Sequence, residues 1–212
     1  MKNILKVFWI IVIMMVVGCN NSKEIILICL GDSLTAGYGA TTPFTEDESK
    51  SYPMFLQKKA NISVINAGVS GSTTAHGLVR VDSDFLFKNP DIIIILLGAN
   101  DVFGNIPVST TQSNLQNIIN KVDNGNRKIY LAKFYTDEIA MSMSISSDTI
   151  TQYNNMFTAL AASSNNTTLI EDIWTGVWGI HMSDNFHPNA NGYEIMADNI
   201  YNVIKSYLQT IR

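Results

Sequence analysis

Short apolar runs alternate along the chain with stretches whose apolar positions recur every three or four residues. Ile25–Leu30, Ile62–Asn66, Ile92–Leu97, Lys128–Lys133 and Thr168–Glu171 read as strands. The third, Ile92-Ile93-Ile94-Ile95-Leu96-Leu97, is apolar at every position, as a parallel strand covered on both faces must be. Between the runs the period changes. Leu115, Ile118, Ile119 and Val122 share a helical face, as do Ile150, Tyr153, Phe157 and Leu160. Met196, Ile200, Val203, Ile204, Tyr207, Leu208 and Ile211 mark a long closing helix. Strand–helix alternation predicts an α/β fold: a three-layer α/β/α sandwich around a mainly parallel, flavodoxin-like sheet of about five strands.

Ligands of such sheets sit beyond the carboxyl ends of the strands. Gly31-Asp32-Ser33 follows the first run, Ala67-Gly68 the second and Gly98-Ala99-Asn100-Asp101 the third. Three turns rich in Gly, Asn, Asp and Ser therefore converge on one rim.

The amino terminus breaks the alternation. Lys2 and Lys6 precede an apolar stretch, Val7 to Val17, which is followed by Gly18-Cys19. The stretch is shorter than the roughly 20 residues a bilayer core requires. A basic segment, a short apolar segment and a small residue describe an export signal. Val16-Val17-Gly18-Cys19 resembles the lipobox of bacterial lipoproteins, which implies a lipid on Cys19 and an exported, membrane-anchored envelope protein. Residues 1–18 are then the signal, 19–23 a tether and 24–212 one domain. The competing readings are an uncleaved anchor helix and plain secretion.

Composition narrows the partners. The chain has 212 residues, 46% of them hydrophobic, and a net charge of −4. Removing residues 1–18 takes away two lysines and no acid, leaving 12 bases against 18 acids. No run of Lys or Arg appears along the chain, so nucleic acid is not an expected partner. With Cys19 lipidated, Cys29 has no cysteine to pair with, and its place inside an apolar strand makes it a small core residue.

Ser33 is the residue that needs an explanation. After a buried strand it could cap a helix, bind phosphate or act as a nucleophile. Phosphate loops fit poorly: Gly37 is followed by Tyr38 rather than Lys, and Gly37-Tyr38-Gly39 lacks a third glycine at Thr42. A nucleophile needs a base and a group to orient that base. Of the three histidines, His76 lies in a predicted helix with no acid one turn away and His181 in a Gly/Met loop. His187 follows Asp184 by three residues in Asp184-Asn185-Phe186-His187-Pro188, within reach inside one turn. Pro188 suits the first turn of the closing helix. The α/β-hydrolase elbow is a poor template, because Thr35 stands where its second glycine belongs.

Four blocks now resemble the GDSL/SGNH hydrolase superfamily: Gly31-Asp32-Ser33-Leu34; Gly68 in Asn66-Ala67-Gly68-Val69-Ser70-Gly71; Gly98-Ala99-Asn100-Asp101; and Asp184-Asn185-Phe186-His187. They span residues 25–208 in the family's order. Thr35-Ala36-Gly37-Tyr38, Ser51-Tyr52-Pro53 and Gly77-Leu78 are most similar to its bacterial thioesterase I/arylesterase/lysophospholipase branch. The resemblance implies an esterase with a Ser33–His187–Asp184 triad. It also implies an oxyanion hole from the N–H groups of Ser33 and Gly68 and the side-chain amide of Asn100. A glycine amide can approach a carbonyl closely, and an Asn amide donates without charge. Asp32 and Asp101 read as acceptors that stabilise turns. No metal or cofactor is implied.

The substrate is then an acyl ester, of small-molecule or lipid type. Phe103, Ile106 and Pro107, just past Asn100, are candidate acyl contacts, with the loop Met141–Ile145 beside them. Phe186 stands where close relatives often carry a smaller residue, which affects the shape of the acyl or leaving-group pocket. Trp174 and Trp178 supply the alternative, stacking on the sugar of an acetylated glycan, unless they pack in the core. A non-catalytic binding lipoprotein would show a broken triad, and here all three residues are present.

Overall fold

The computed structural model describes residues 23–84 and 86–212. The expected signal, the tether up to residue 22 and Cys19 lie outside the described residues. Five strands form one sheet: β1 (Ile26–Gly31), β2 (Ser63–Gly68), β3 (Ile92–Leu96), β4 (Lys128–Ala132) and β5 (Thr167–Ile170). They stand in the order β2-β1-β3-β4-β5, and every neighbouring pair is parallel. Each strand lies where the apolar runs predict, with ends moved by one or two residues. All five isoleucine and leucine side chains of β3 are fully buried, because helices cover both of its faces.

The helices are α1 (Ser33–Ala36), α2 (Tyr52–Ala60), α3 (Thr74–Asp84), α4 (Ala99–Phe103), α5 (Val108–Val122), α6 (Asp137–Ser142), α7 (Ser147–Ala162) and α8 (Ala190–Ile211). From β1 the chain moves outward to β2, then reverses to β3, β4 and β5. Right-handed crossovers therefore place α2 on one face and α3, α5 and α7 on the other. α8 returns to pack on α2, while α3 packs on α5 and α5 on α7. This is the three-layer sandwich the alternation predicts. Among the described residues, the strands and both helical layers lie within residues 26–211, and the core they enclose begins at Ile25, so this segment carries an extensive core of its own.

Cys29 is fully buried in that core, and burial pushes its thiol far above the usual range. Trp174 is 2% exposed and its indole N–H donates to the Phe134 carbonyl at 3.0 Å. It is a core residue. Pro188 is not in the first turn of α8. Asn189 caps that helix by accepting the Gly192 N–H at 3.1 Å, and Pro188 precedes the cap in a bridge with Met182. An Asn side chain can satisfy a first-turn donor, so the helix starts at Ala190, two residues later than the proline suggests.

The strand order reverses between β1 and β3, and a crevice opens there past their carboxyl ends. Arg80 of α3 clamps its edge by donating to the carbonyls of Ala67 and Gly31 at 2.8 and 2.6 Å.

Candidate active site

Ser33 opens α1 directly after β1. It does not cap the helix: Asp32 does, accepting the Leu34 N–H at 3.0 Å. The serine hydroxyl is thereby left for other partners, and its Oγ lies 2.9 Å from His187 Nε2. The His187 N–H at Nδ1 faces Asp184, with Oδ2 at 2.8 Å and Oδ1 at 3.1 Å.

The Asp184–His187 unit is built locally. Asp184 Oδ1 accepts the backbone N–H groups of Phe186 and His187 at 2.8 and 2.6 Å, folding the segment into an Asx-type turn. The Ser183 N–H returns to the His187 carbonyl at 2.8 Å, and the Met182–Pro188 bridge closes the loop. Burial alone would raise the Asp184 carboxyl. The His187 and Phe186 N–H groups and the His187 ring outweigh it and hold the carboxyl below its ordinary range. An ionised carboxylate thus faces the imidazole. Tyr38 packs its ring 4.6 Å from that of His187, and its carbonyl accepts the α8 Tyr193 hydroxyl at 2.7 Å.

Asn100, in the first turn of α4, enters the same pocket. Its amide donates to the Ser72 carbonyl at 3.0 Å and, more weakly, to Asp32 Oδ2 at 3.4 Å. Asp101 points the other way, fully buried, accepting from the Thr74 N–H at 2.8 Å and from Thr111 at 3.2 Å. Asp32 is the turn acceptor expected of it, whereas Asp101 accepts across elements and ties α4 to the starts of α3 and α5. Asp32 is also titratable: burial pushes its carboxyl up to about 7, against the pull of the Leu34 N–H.

Gly68 does not sit where the sequence reading put it. Its N–H is used by Asn66 Oδ1 at 2.9 Å, and it does not line the pocket. Its lack of a side chain serves packing instead. A Cβ there would lie 2.2 Å from the Ala36 nitrogen, so the glycine lets α1 press onto β2. Gly71, three residues later, lines the pocket beside Ser33 and Ser70. It has a left-handed φ of +77°, and its N–H makes no hydrogen bond among the described residues. The second glycine of Asn66-Ala67-Gly68-Val69-Ser70-Gly71 was the available signal, and only backbone direction distinguishes the two.

The pocket encloses about 320 Å3 between Ser33, Asn100, His187 and the aromatic walls Tyr38, Phe44, Phe103 and Phe186. Tyr38 and Phe44 were not singled out from sequence. Ile106 and Pro107 line a neighbouring cleft of about 660 Å3 with Met143, Ile145 and Tyr153, and Phe103 borders both cavities. Among the described residues no cluster of His, Cys, Asp and Glu could hold a metal ion, and no helix is long and apolar enough to cross a membrane.

Residues 29–195 match the model of the GDSL-like Lipase/Acylhydrolase family. An arylesterase of Vibrio mimicus is 33% identical over 110 residues, half of this chain and 52% of that protein. That match spans about half the relative's length. Esterase TesA of Pseudomonas aeruginosa is 26% identical across 86% of this chain and 89% of its own. An uncharacterized lipoprotein, YqeF of Bacillus subtilis, is 27% identical over 40% of this chain and 35% of its own. The crystal structure of a lipase/acylhydrolase from Enterococcus faecalis superposes with a TM-score of 0.69 at 27% identity, covering 87% of this chain and 97% of that one. The chain belongs to the GDSL-like lipase/acylhydrolase family of ester hydrolases.

Proposed function

We propose that this chain hydrolyses carboxylic esters by two-step acyl transfer, with Ser33 as nucleophile, His187 as general base and Asp184 as the group that orients and stabilises it. The observation that carries this reading is the continuous contact from Ser33 Oγ through the imidazole to the Asp184 carboxylate, at 2.9 and 2.8 Å. Ser33 Oγ bonds to the substrate's carbonyl carbon while its proton passes to His187 Nε2. The tetrahedral intermediate expels the alcohol, which takes that proton, leaving an acyl-enzyme. Water then attacks the acyl carbon, again losing a proton to His187, and the carboxylic acid departs with Ser33 restored.

The developing oxyanion is met by the Ser33 N–H, a first-turn amide with no intrahelical acceptor, by the Gly71 N–H and by the Asn100 amide. Asn100 keeps one N–H on Ser72 and turns the other, weakly held by Asp32, to the oxyanion.

The pocket's size and aromatic walls favour a short acyl or aryl ester, and the adjoining cleft offers room for a longer chain beyond Phe103. An acetylated glycan is less well supported, because Trp174 is buried, Trp178 is half-buried against it at 5.5 Å, and neither lines the Ser33 pocket. The lipobox-like Val16-Val17-Gly18-Cys19 and the similarity to a lipoprotein support export and anchoring through Cys19.

Ser33→Ala tests the assignment. With p-nitrophenyl butyrate, turnover should fall to background while circular dichroism is unchanged. Retained turnover in a folded variant would overturn it.

A further inference from the structure

The lysines and arginines are scattered in the sequence, yet the fold collects them. Lys23 and Lys128 lead into β1 and β4, Lys58 and Lys59 close α2, and Lys121 closes α5. Lys88 ends the short turn Leu86–Lys88, Lys205 lies in the second half of α8 and Arg212 caps it. With Arg127, nine of the twelve bases beyond residue 22 stand at the amino ends of the strands. Six of the eighteen acids join them there: Glu24, Asp82, Asp84, Asp91, Asp123 and Asp198. Asp91, Asp82 and Asp198 pair with Lys23, Lys121 and Lys59, whereas Lys58, Lys88, Lys205 and Arg212 form no ion pair among the described residues.

The opposite end carries Ser33 and is acidic. Its carboxylates come from the loop Glu46-Asp47-Glu48, the first turns of α6 and α7, and Glu171-Asp172 beyond β5. Part of this polarity follows from the fold, since every long helix ends at the basic side and helix carboxyl termini favour cations.

A second observation gives the basic end a partner. Phe87 is 70% exposed there, with Lys88 Nζ 5.0 Å above its ring. An exposed aromatic ring among lysines matches the boundary between headgroups and acyl chains of a bilayer. The described chain also begins at this end, at Lys23, so the apolar and lipobox-like residues precede it here.

We infer that the amino-end face of the sheet is a docking surface for anionic phospholipid bilayers. Lys58, Lys88, Lys205 and Arg212 meet the headgroups, Phe87 enters the boundary, and the acidic end bearing the pocket faces away from the membrane. The orientation rests on the anchored-lipoprotein reading; the affinity does not, because it needs no lipid on Cys19.

The test uses the unlipidated segment Asn20–Arg212, which holds the whole core found among the described residues, sedimented with vesicles at low ionic strength. Binding to vesicles of equal phosphatidylglycerol and phosphatidylcholine should exceed binding to pure phosphatidylcholine at least tenfold, and should vanish in high salt. The triple variant Lys58→Glu, Lys88→Glu, Lys205→Glu should lose it, and Phe87→Ser should weaken it severalfold. Lys50→Glu, at the other end, should leave it unchanged. Ester hydrolysis in solution should be equal in all four proteins, so a failed surface is distinguishable from a failed enzyme. Equal binding to both vesicles, an unaffected triple variant, preference for duplex DNA, or self-association in place of vesicle binding would each overturn the inference. If Cys19→Ser leaves membrane association in cells unchanged while vesicle binding holds, the anchor reading fails and the surface stands.

Discussion

Phe103 meets Phe186 edge to face, with ring centroids 5.3 Å apart and planes at 89°. The pair joins α4 to the His187 loop, and Phe103, half exposed, stands between the Ser33 pocket and the cleft of Ile106 and Pro107. Two chain segments more than 80 residues apart thus set the length of the space in front of the serine.

Phe103→Ala should merge the two cavities. In a series of p-nitrophenyl esters, kcat/KM for octanoate relative to acetate should rise by about tenfold, the worth of one or two methylenes in an apolar site. An unchanged chain-length profile would show that the acyl chain takes another route.

In the proposed mechanism Asn100→Ala removes a donor that acts mainly once negative charge has formed. kcat should fall by roughly 10²–10³ with little change in KM. A loss confined to KM would place Asn100 in ground-state binding instead.

Gly68→Ala should damage the fold rather than the chemistry directly. Its Cβ would collide with the backbone of Ala36, and the cost of forcing α1 off β2 is about 1–3 kcal/mol. Urea denaturation should show the loss, and Ser33, carried by α1, should lose activity with it. A variant as stable as the parent would contradict this packing.

Asp32 makes stability depend on pH in a specific sense. The unfolded carboxyl ionises near 3.8, while burial raises the folded one to about 7. Between those values the unfolded chain releases a proton the folded chain keeps. Stability therefore declines as pH rises through that window, by up to about 4 kcal/mol, and no further above it. Asp32→Asn keeps an acceptor for Leu34 and removes the titration. The stability difference between parent and variant, measured from pH 4 to 8, should shift in the variant's favour as pH rises; a constant difference would refute the buried acid.

Much was legible before any coordinates. β3 could be read because an unbroken apolar run fits only a strand covered on both faces. Asp184 and His187 could be paired because three residues of chain bring them together without help from the rest of the fold. Ser33 and His187, 154 positions apart, needed the sheet to meet; beforehand they could be joined only by elimination among three histidines and by the resemblance, not by any local spacing.

Tertiary structure decided the rest, where direction in space matters more than residue type. Gly68 and Gly71 look alike in sequence; one lacks a Cβ so that a helix can pack, and the other lines the pocket with a backbone whose N–H makes no hydrogen bond among the described residues. Tyr38 and Phe44 became walls through the fold of a loop whose spacing carries no periodic signal. The basic face is also a product of topology. Parallel strands and antiparallel helices bring distant chain positions to the same end, and no reading along one dimension can sum charges that meet only in three.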